Sequence, residues 1–387
     1  MNKNLLLTIA ISARPFVVAA TQAGYVVTAI DAFADKQTVE LAETSIVVNY
    51  DKFGFNADEL LRVIGQLNTS QYLGFVYGSG FESQPELLQE IANIIPLIGN
   101  SAAIVQAVKT ASIFFPTLDF LEISYPKIFN KLPVDFSVSY LKKFAGGCGG
   151  AHIKIVNDDS DVLSNNYYFQ EQVDGRSISL LFVANSRYIE PIGFNEQWLS
   201  PCTTAPFRYG GAVSNIALSS AVQQQVIYAA EALTREFGLL GLNSLDVIVR
   251  NDSAYILEIN PRLSATFDLY SANLYQSVDD NIINMHLRAS LEADKFPLNS
   301  VEKPIQENMQ STAHAVVYAL ESIVIGDLFE WPSWVVDIPY CAEHHDEKTI
   351  YAGEPICSVF AHAEDAATAK SLVQTRVELI KNLIGIC

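Results

Sequence analysis

The sequence predicts an α/β protein of two or three domains, and three stretches carry that prediction. Residues 5–31 run strand, loop, helix, strand and terminal acid. Residues 140–155, YLKKFAGGCGGAHIKI, place four glycines in five positions between two strand candidates. Residues 241–270 hold two apolar runs, 245–249 and 255–259, around the turn formers Arg250-Asn251-Asp252-Ser253-Ala254, a β-hairpin by composition. At 387 residues, half of them hydrophobic and only 17% charged, the chain exceeds one simple core and has the apolar content to fill more.

Taken in order, residues 5–11 suit a short central strand of a parallel sheet. Ser12-Ala13-Arg14-Pro15 turns the chain into a helix over 16–23, which Gly24 stops. A second strand, 25–30, ends at Asp31. That succession is Rossmann-like, but Ser12-Ala13-Arg14 stands where a dinucleotide fingerprint would have glycines. Ser12 and Arg14, at a strand's carboxyl end, could hold a substrate carboxylate or cap the helix. Strands at 45–48 and 73–77 flank a helix at 57–67. Gly78-Ser79-Gly80-Phe81-Glu82 follows; its small residues admit a ligand closely, and Glu82 could meet a substrate amine. Residues 1–100 thus form one α/β domain, and a helical link at 104–109 and 113–121 leads into a second, 101–310.

The formal charge of −19, from 24 basic and 43 acidic residues, excludes non-specific binding to nucleic acid or anionic membrane. It makes clustered lysines and arginines conspicuous. The five cysteines are scattered without CxxC or Cys/His spacing, as reduced cytosolic thiols would be. Lys3 followed by LLLTIAISA imitates a short signal peptide, yet Arg14-Pro15 and a second strand–acid unit follow at once, so a first buried strand is expected. No apolar run is long enough to span a bilayer, and a cytoplasmic protein is expected.

The hairpin carries the chemistry. Glu258 and Asn260, two apart on a strand, point the same way. A three-residue turn would bring Asp246 to their face; a four-residue turn would put it on the other. Two carboxylates and an amide oxygen on one face repel unless a cation lies between them, and hard oxygen donors suit Mg²⁺ bridging to phosphates. Arg262 then offers a guanidinium to phosphate or carboxylate. In the glycine-rich loop, backbone N–H groups of Gly146, Gly147, Gly149 and Gly150 can turn onto an anion. It is no P-loop, since a strand rather than Lys-Ser/Thr and a helix follows. Of Lys142 and Lys143, alternation lets only one face inward.

The string LEINPR, with an acid on the preceding strand, resembles the metal-binding signature of the ATP-grasp superfamily. The resemblance covers about residues 1–300 and implies an α+β ATP-grasp fold: a Rossmann-like first domain, then a two-part ATP-grasp domain. Its lid would span about 110–175 and its metal-binding core about 176–310. It implies ATP and Mg²⁺, with the metal on Asp246, Glu258 and Asn260. Lys109, near the link, would reach a phosphate, and the strand lysine of the lid falls on Lys143. This chain has Phe144 where the family commonly has proline and Cys148 where serine or threonine is common. YYFQEQVDG, 167–175, resembles the adenine-holding hinge, through backbone groups about Val173 and the acid Glu171; Asp174 or Glu171 would hold the ribose. Residues 194–211 are loop-rich and contain Arg208, a candidate for an acyl phosphate or carboxylate, or else a surface arginine. A helix over 222–237 delivers the chain to the hairpin, and another spans 281–293.

From 311 the composition changes. Strands at 313–319, 350–356 and 358–362 and a helix at 364–383 resemble the small β-rich C-terminal subdomain of some ATP-grasp ligases. His344-His345-Asp346-Glu347 reads as a solvated loop rather than a metal site. The resemblance implies ligation of a small-molecule carboxylate to an amine through an acyl phosphate, releasing ADP and phosphate, with Arg262, Lys143 and Asn260 acting on the transferred group. A role in amino-acid or methanofuran/tetrahydromethanopterin-type cofactor synthesis follows as the narrower expectation. A homodimer is compatible with it. The rival readings are a biotin-dependent carboxylase and a nucleotide-binding module without turnover.

Overall fold

A computed structural model describes residues 4–133, 138–156, 166–270, 281–293, 310–326, 329–339 and 349–386. The first layer is a parallel sheet of β1 (Leu5–Ile9), β2 (Val26–Asp31), β3 (Thr44–Val47) and β4 (Tyr72–Tyr77), in the order β3-β2-β1-β4. Its central strand is apolar on both sides because both faces are covered. Leu6 points into one core with Phe16 and Val17 of helix α1 (Arg14–Gln22). Leu7 and Ile9 point into another with Leu60 and Ile64 of α2 (Ala57–Gln66). Pro15 sits in the first turn of α1, where its missing N–H costs no hydrogen bond.

Helices α3 (Ala102–Lys109, capped by Ser101) and α4 (Ala111–Phe120) lead into the lid. The lid is a four-stranded antiparallel sheet of β5 (Ile128–Phe129), β6 (Tyr140–Phe144), β7 (Lys154–Ile155) and β8 (Tyr167–Glu171), in the order β5-β8-β6-β7. Its own core is small, built on Tyr140, Val156 and Phe169.

Beyond the lid come β9 (Arg176–Asn185), β10 (Ile189–Leu199) and β11 (Tyr209–Ser214), then helix α5 (Ser220–Phe237) and the hairpin β12 (Leu240–Arg250) and β13 (Ser253–Asn260). Ser219 caps α5 at its start, and Gly238, at φ +69°, ends it in the left-handed conformation. Helix α6 (Ile282–Leu291) follows, then β14 (Ser311–Tyr318), β15 (Val335–Val336), β16 (Pro355–Ala363) and helix α7 (Ala366–Ile384). One eight-stranded sheet runs β13-β12-β9-β10-β11-β14-β16-β15, so the C-terminal strands continue the sheet that holds the hairpin. Helix α5 packs on one face, through Val226 and Leu233 against Leu180 and Leu245. On the other face, Ile283 and Leu287 of α6 share a core with Leu181, Val183 and Leu242 of the sheet and with α1 of the first layer.

Several boundaries differ from expectation. Residues 194–211 are not mainly loop: β10 and β11 occupy both ends, with the loop only at 200–208. Polar residues hide the strand pattern because they serve the interior: Asn195 accepts from the buried Tyr270 hydroxyl and Gln197 donates to Asp246. The single strand expected at 350–356 is cut by a turn in which Glu354 accepts from the Tyr351 N–H, and β16 begins only at Pro355. The strand expected after the glycine loop shrinks to Lys154–Ile155. Residues 344–347 lie outside the described residues.

Candidate active site

A cavity of about 950 Å³ opens where the first layer, lid and core meet, and Lys143, Asp246, Glu258, Asn260 and Arg262 all line it. The hairpin turn is two residues, Asn251 and Asp252, both at positive φ (+50° and +58°), as a tight hairpin requires. From that turn the register runs Arg250↔Ser253 to Val247↔Ile256. Continued unbroken, it would set Asp246 opposite Leu257 and send Glu258 to the far face. A bulge at Leu257 intervenes, so Asp246 stands opposite Glu258, and Ser244 opposite Asn260. The shorter turn plus bulge thus achieves what a three-residue turn would have given.

Lys109, the last residue of α3, inserts its ammonium among these oxygens, 2.8 Å from Glu258 Oε2 and 2.9 Å from Asn260 Oδ1. Asn260 Nδ2 donates to Asp246 Oδ2 at 3.0 Å, and Gln197 donates to the other oxygen of Asp246 at 3.1 Å. Burial and the neighbouring Glu258 charge push Asp246 up to about 6. Burial also works against ionised Glu258, but Lys109, with His152 and Lys143 beside it, outweighs burial and holds that carboxyl at about 2. Lys143 is buried on the facing lid strand; burial lowers its pKa against the pull of Glu258 and Asp246. Alternation settles which lysine faces inward, since Lys142 lies over the Tyr167 ring instead, 5.3 Å from its centroid.

The glycine loop closes the cavity from above. Gly146, Gly149 and Gly150 have φ of +80°, +63° and +74°. Gly149 accepts from the Tyr209 N–H at 3.0 Å, and a Cβ on Gly150 would lie 1.8 Å from the Phe207 carbonyl oxygen. Phe144, in the proline's place, meets Phe53 of the first layer edge-on at 5.2 Å, so it joins lid to first layer. Cys148 also lines the cavity, with burial pushing its thiol up to about 12.

Two expectations need correction. Glu82 does not await an amine: it binds Arg262 Nε through one oxygen and the N–H groups of Gly80 and Phe81 through the other. It thereby fixes Arg262, which is 8% exposed and also donates to the Leu263 carbonyl. Arg14 neither caps a helix nor faces a ligand, for it is buried in ion pairs with Asp268 and, at 2.6 Å, Asp337. Both arginines are polar groups whose partners lie far away in the chain. Ser12 lines the cavity. Arg208 stacks 3.7 Å from the Tyr318 ring centroid and donates to the carbonyls of Ser200 and Gly353 at the cavity wall.

The hinge residues Glu171, Val173 and Asp174 line the opposite end. Sequence reading passed over two residues nearby. His152 packs on Gly147, with burial holding its imidazole near 4. Gln170 is fully buried and lines the cavity. The signal for Gln170 was available: it is an even number of positions from Tyr168, across the ladder from Lys143.

Residues 102–266 match the ATP-grasp domain, and the chain shares its overall fold with the solved structures named below. Among individual relatives, the tyramine–L-glutamate ligase of Methanocaldococcus jannaschii is 28% identical over 163 residues, 41% of this chain and 48% of that one. The match therefore spans about half the length of that relative. Biotin carboxylase from Campylobacter jejuni superposes with a TM-score of 0.70 at 14% identity, covering 95% of this chain and 90% of that one. The L-amino acid ligase from Bacillus licheniformis gives 0.65 at 12% identity, over 97% of both chains.

An ATP-grasp domain implies nucleotide and magnesium, and the residues fit both. A carboxylate oxygen of Glu258 and the amide oxygen of Asn260 already hold a cation, the Lys109 ammonium, and Asp246 is bonded to the same amide. Among the described residues no three His, Cys, Asp or Glu side chains form a metal cluster. A metal here would need further oxygens from phosphate and water, as Mg²⁺ commonly has.

Proposed function

We propose that the protein is an ATP- and Mg²⁺-dependent ligase that joins a carboxylate to an amine through an acyl phosphate, releasing ADP and phosphate. The observation that carries this reading is the single cavity in which Asp246, Glu258 and Asn260 face Lys143 beneath the glycine loop, with Arg262 alongside. Asp246, Glu258 and Asn260 would hold the metal, which supplies charge neutralisation between phosphates. Lys109 and Lys143 bind the phosphate chain, and the N–H groups of Gly146, Gly147, Gly149 and Gly150 cover it. Arg262, held rigid by Glu82, orients the group in transfer and neutralises its charge. The hinge at Glu171, Val173 and Asp174 takes the nucleoside. No side chain serves as a covalent nucleophile.

The relatives named as ligases of an amino acid to an amine, or of amino acids, support a small amino-acid-type substrate pair. A methanofuran-type cofactor pathway is the narrower form of the proposal. A cavity of about 950 Å³ has room for a nucleotide and small substrates together. The test is ADP release measured with candidate carboxylates and amines, singly and then together. The expected result is ADP and phosphate in equal amounts, only when both are present. Stoichiometric AMP would refute the mechanism, and release dependent on bicarbonate and biotin would assign a carboxylase instead.

A further inference from the structure

Arg208 has no task in the chemistry above, and its surroundings give it one. The ladder between β11 and β14 pairs Val213 with Ala313, Ala212 with His314 and Gly211 with Ala315, and ends there. Unbroken, it would set Tyr209 opposite Val317. A bulge at Gly210 intervenes, since Trp198 of β10 stands opposite Gly211 while Leu199 stands opposite Tyr209. β11 therefore parts from β14 just where it reaches the glycine loop. The backbone groups of Tyr209 are then shared between two parts of the molecule. Its N–H donates to the Gly149 carbonyl at 3.0 Å, and its carbonyl accepts from the Tyr318 hydroxyl of β14 at 2.9 Å.

Arg208 steadies the second of these contacts. Its guanidinium lies 3.7 Å from the centroid of the same Tyr318 ring and donates to the carbonyls of Ser200, at 2.9 Å, and Gly353, at 3.2 Å. A planar group stacked on its face and bonded along its edge holds the ring in place, which the point charge of a lysine does not. The Tyr209 hydroxyl adds a tie to β14 through His314 Nε2 at 2.6 Å. Phe207 completes the segment, its carbonyl lying where a Cβ on Gly150 would collide with it. Residues 207–209 thus join the glycine loop to the C-terminal strands.

We propose that Arg208 and Tyr318 are positioning residues that latch the glycine loop shut, so that the C-terminal strands set how long nucleotide stays bound. The effect on nucleotide rests on the reading above; the latch rests on the bonds just given. Glycines supply little rigidity of their own, so such a loop covers phosphates only while the surface it docks on stays put. Were Arg208 instead to touch a phosphate or carboxylate directly, its charge would matter and the Tyr318 hydroxyl would not.

Amide exchange at Tyr209 in the nucleotide-free protein reads the latch. Chasing a fluorescent Mg·ADP analogue with excess Mg·ADP reads nucleotide release, and neither measurement needs the acceptor substrates. Tyr318→Phe keeps the ring and loses the hydroxyl; it should speed both by about fivefold, the worth of one hydrogen bond. Arg208→Lys keeps the charge and loses the stack; it should speed both by about tenfold. Amides of the hairpin at 245–249 should exchange as in the wild type, and thermal melting checks that each variant is folded. A Tyr209 amide unprotected in the wild type, or within twofold of wild type in both variants, would overturn the latch. Equal acceleration in the hairpin would overturn it too, as general loosening. Faster exchange with unchanged release would overturn its control of nucleotide dwell time. A wild type that binds no Mg·ADP would overturn the nucleotide reading, with the exchange result still deciding the latch.

Discussion

Gly150 and Gly149 are neighbours in one loop, both in the left-handed region at φ +74° and +63°, and they separate strain from collision. An alanine at either position meets the left-handed penalty of about 1–2 kcal/mol. At Gly149 the added Cβ has nothing within 4 Å, so the penalty ends there. At Gly150 it would lie 1.8 Å from the carbonyl oxygen of Phe207 and 2.7 Å from its carbon, both backbone atoms that cannot rotate away. The loop must lift, giving up the Tyr209 N–H bond to Gly149, worth about 1 kcal/mol, and the closed cover of the phosphates. Gly149→Ala should therefore weaken Mg·ATP binding by roughly tenfold, and Gly150→Ala by a further fivefold to tenfold at least. Titration calorimetry gives the two affinities, and amide exchange at Tyr209 reports the lifting directly. Equal affinities in the two variants, with Tyr209 equally protected in both, would refute the docked loop.

Three other outcomes are expected. Glu258→Gln should keep the fold and lose Mg²⁺-dependent ADP release, because a neutral amide is a poor ligand for a hard dication; wild-type turnover would remove the hairpin from the chemistry. Arg14→Met should destabilise the protein by about 3–5 kcal/mol in urea titration, since the buried Asp268 and the partly buried Asp337 lose their cation, and a loss below about 1 kcal/mol would refute the pairing. His286 is 2% exposed, accepts from the Leu242 N–H, and burial holds it near 4. Unfolded histidine takes a proton near pH 6.5 and the folded one only near 4, so stability is lost as pH falls through that window. The wild type's advantage over His286→Gln should shrink by about 2 kcal/mol between pH 7 and pH 5.

The sequence disclosed what repeats locally and withheld what closes over distance. The hairpin, the glycine loop and the first parallel layer are written in alternation, turn formers and runs of apolar residues. The bulge at Leu257 is not, because an apolar residue in a strand looks alike whether paired or extruded. Arg14 and Glu82 looked available because their partners, Asp268, Asp337 and Arg262, lie in segments no local pattern connects to them. Asn195 and Gln197 made a central strand look like a loop, since polar residues bonded within the interior break the hydrophobic period that identifies strands. Gln170 needed only the alternation already used for Lys143.

Arg14 has a further consequence for the order in which the molecule can be completed. Its two acids lie 254 and 323 residues downstream. On a ribosome, the first layer emerges before either counterion of its guanidinium, and before the α6 and sheet residues that complete one of its cores. Asp268 arrives with the core domain, and Asp337 only with the C-terminal strands. A buried cation of the first layer is thus neutralised by acids made much later than itself.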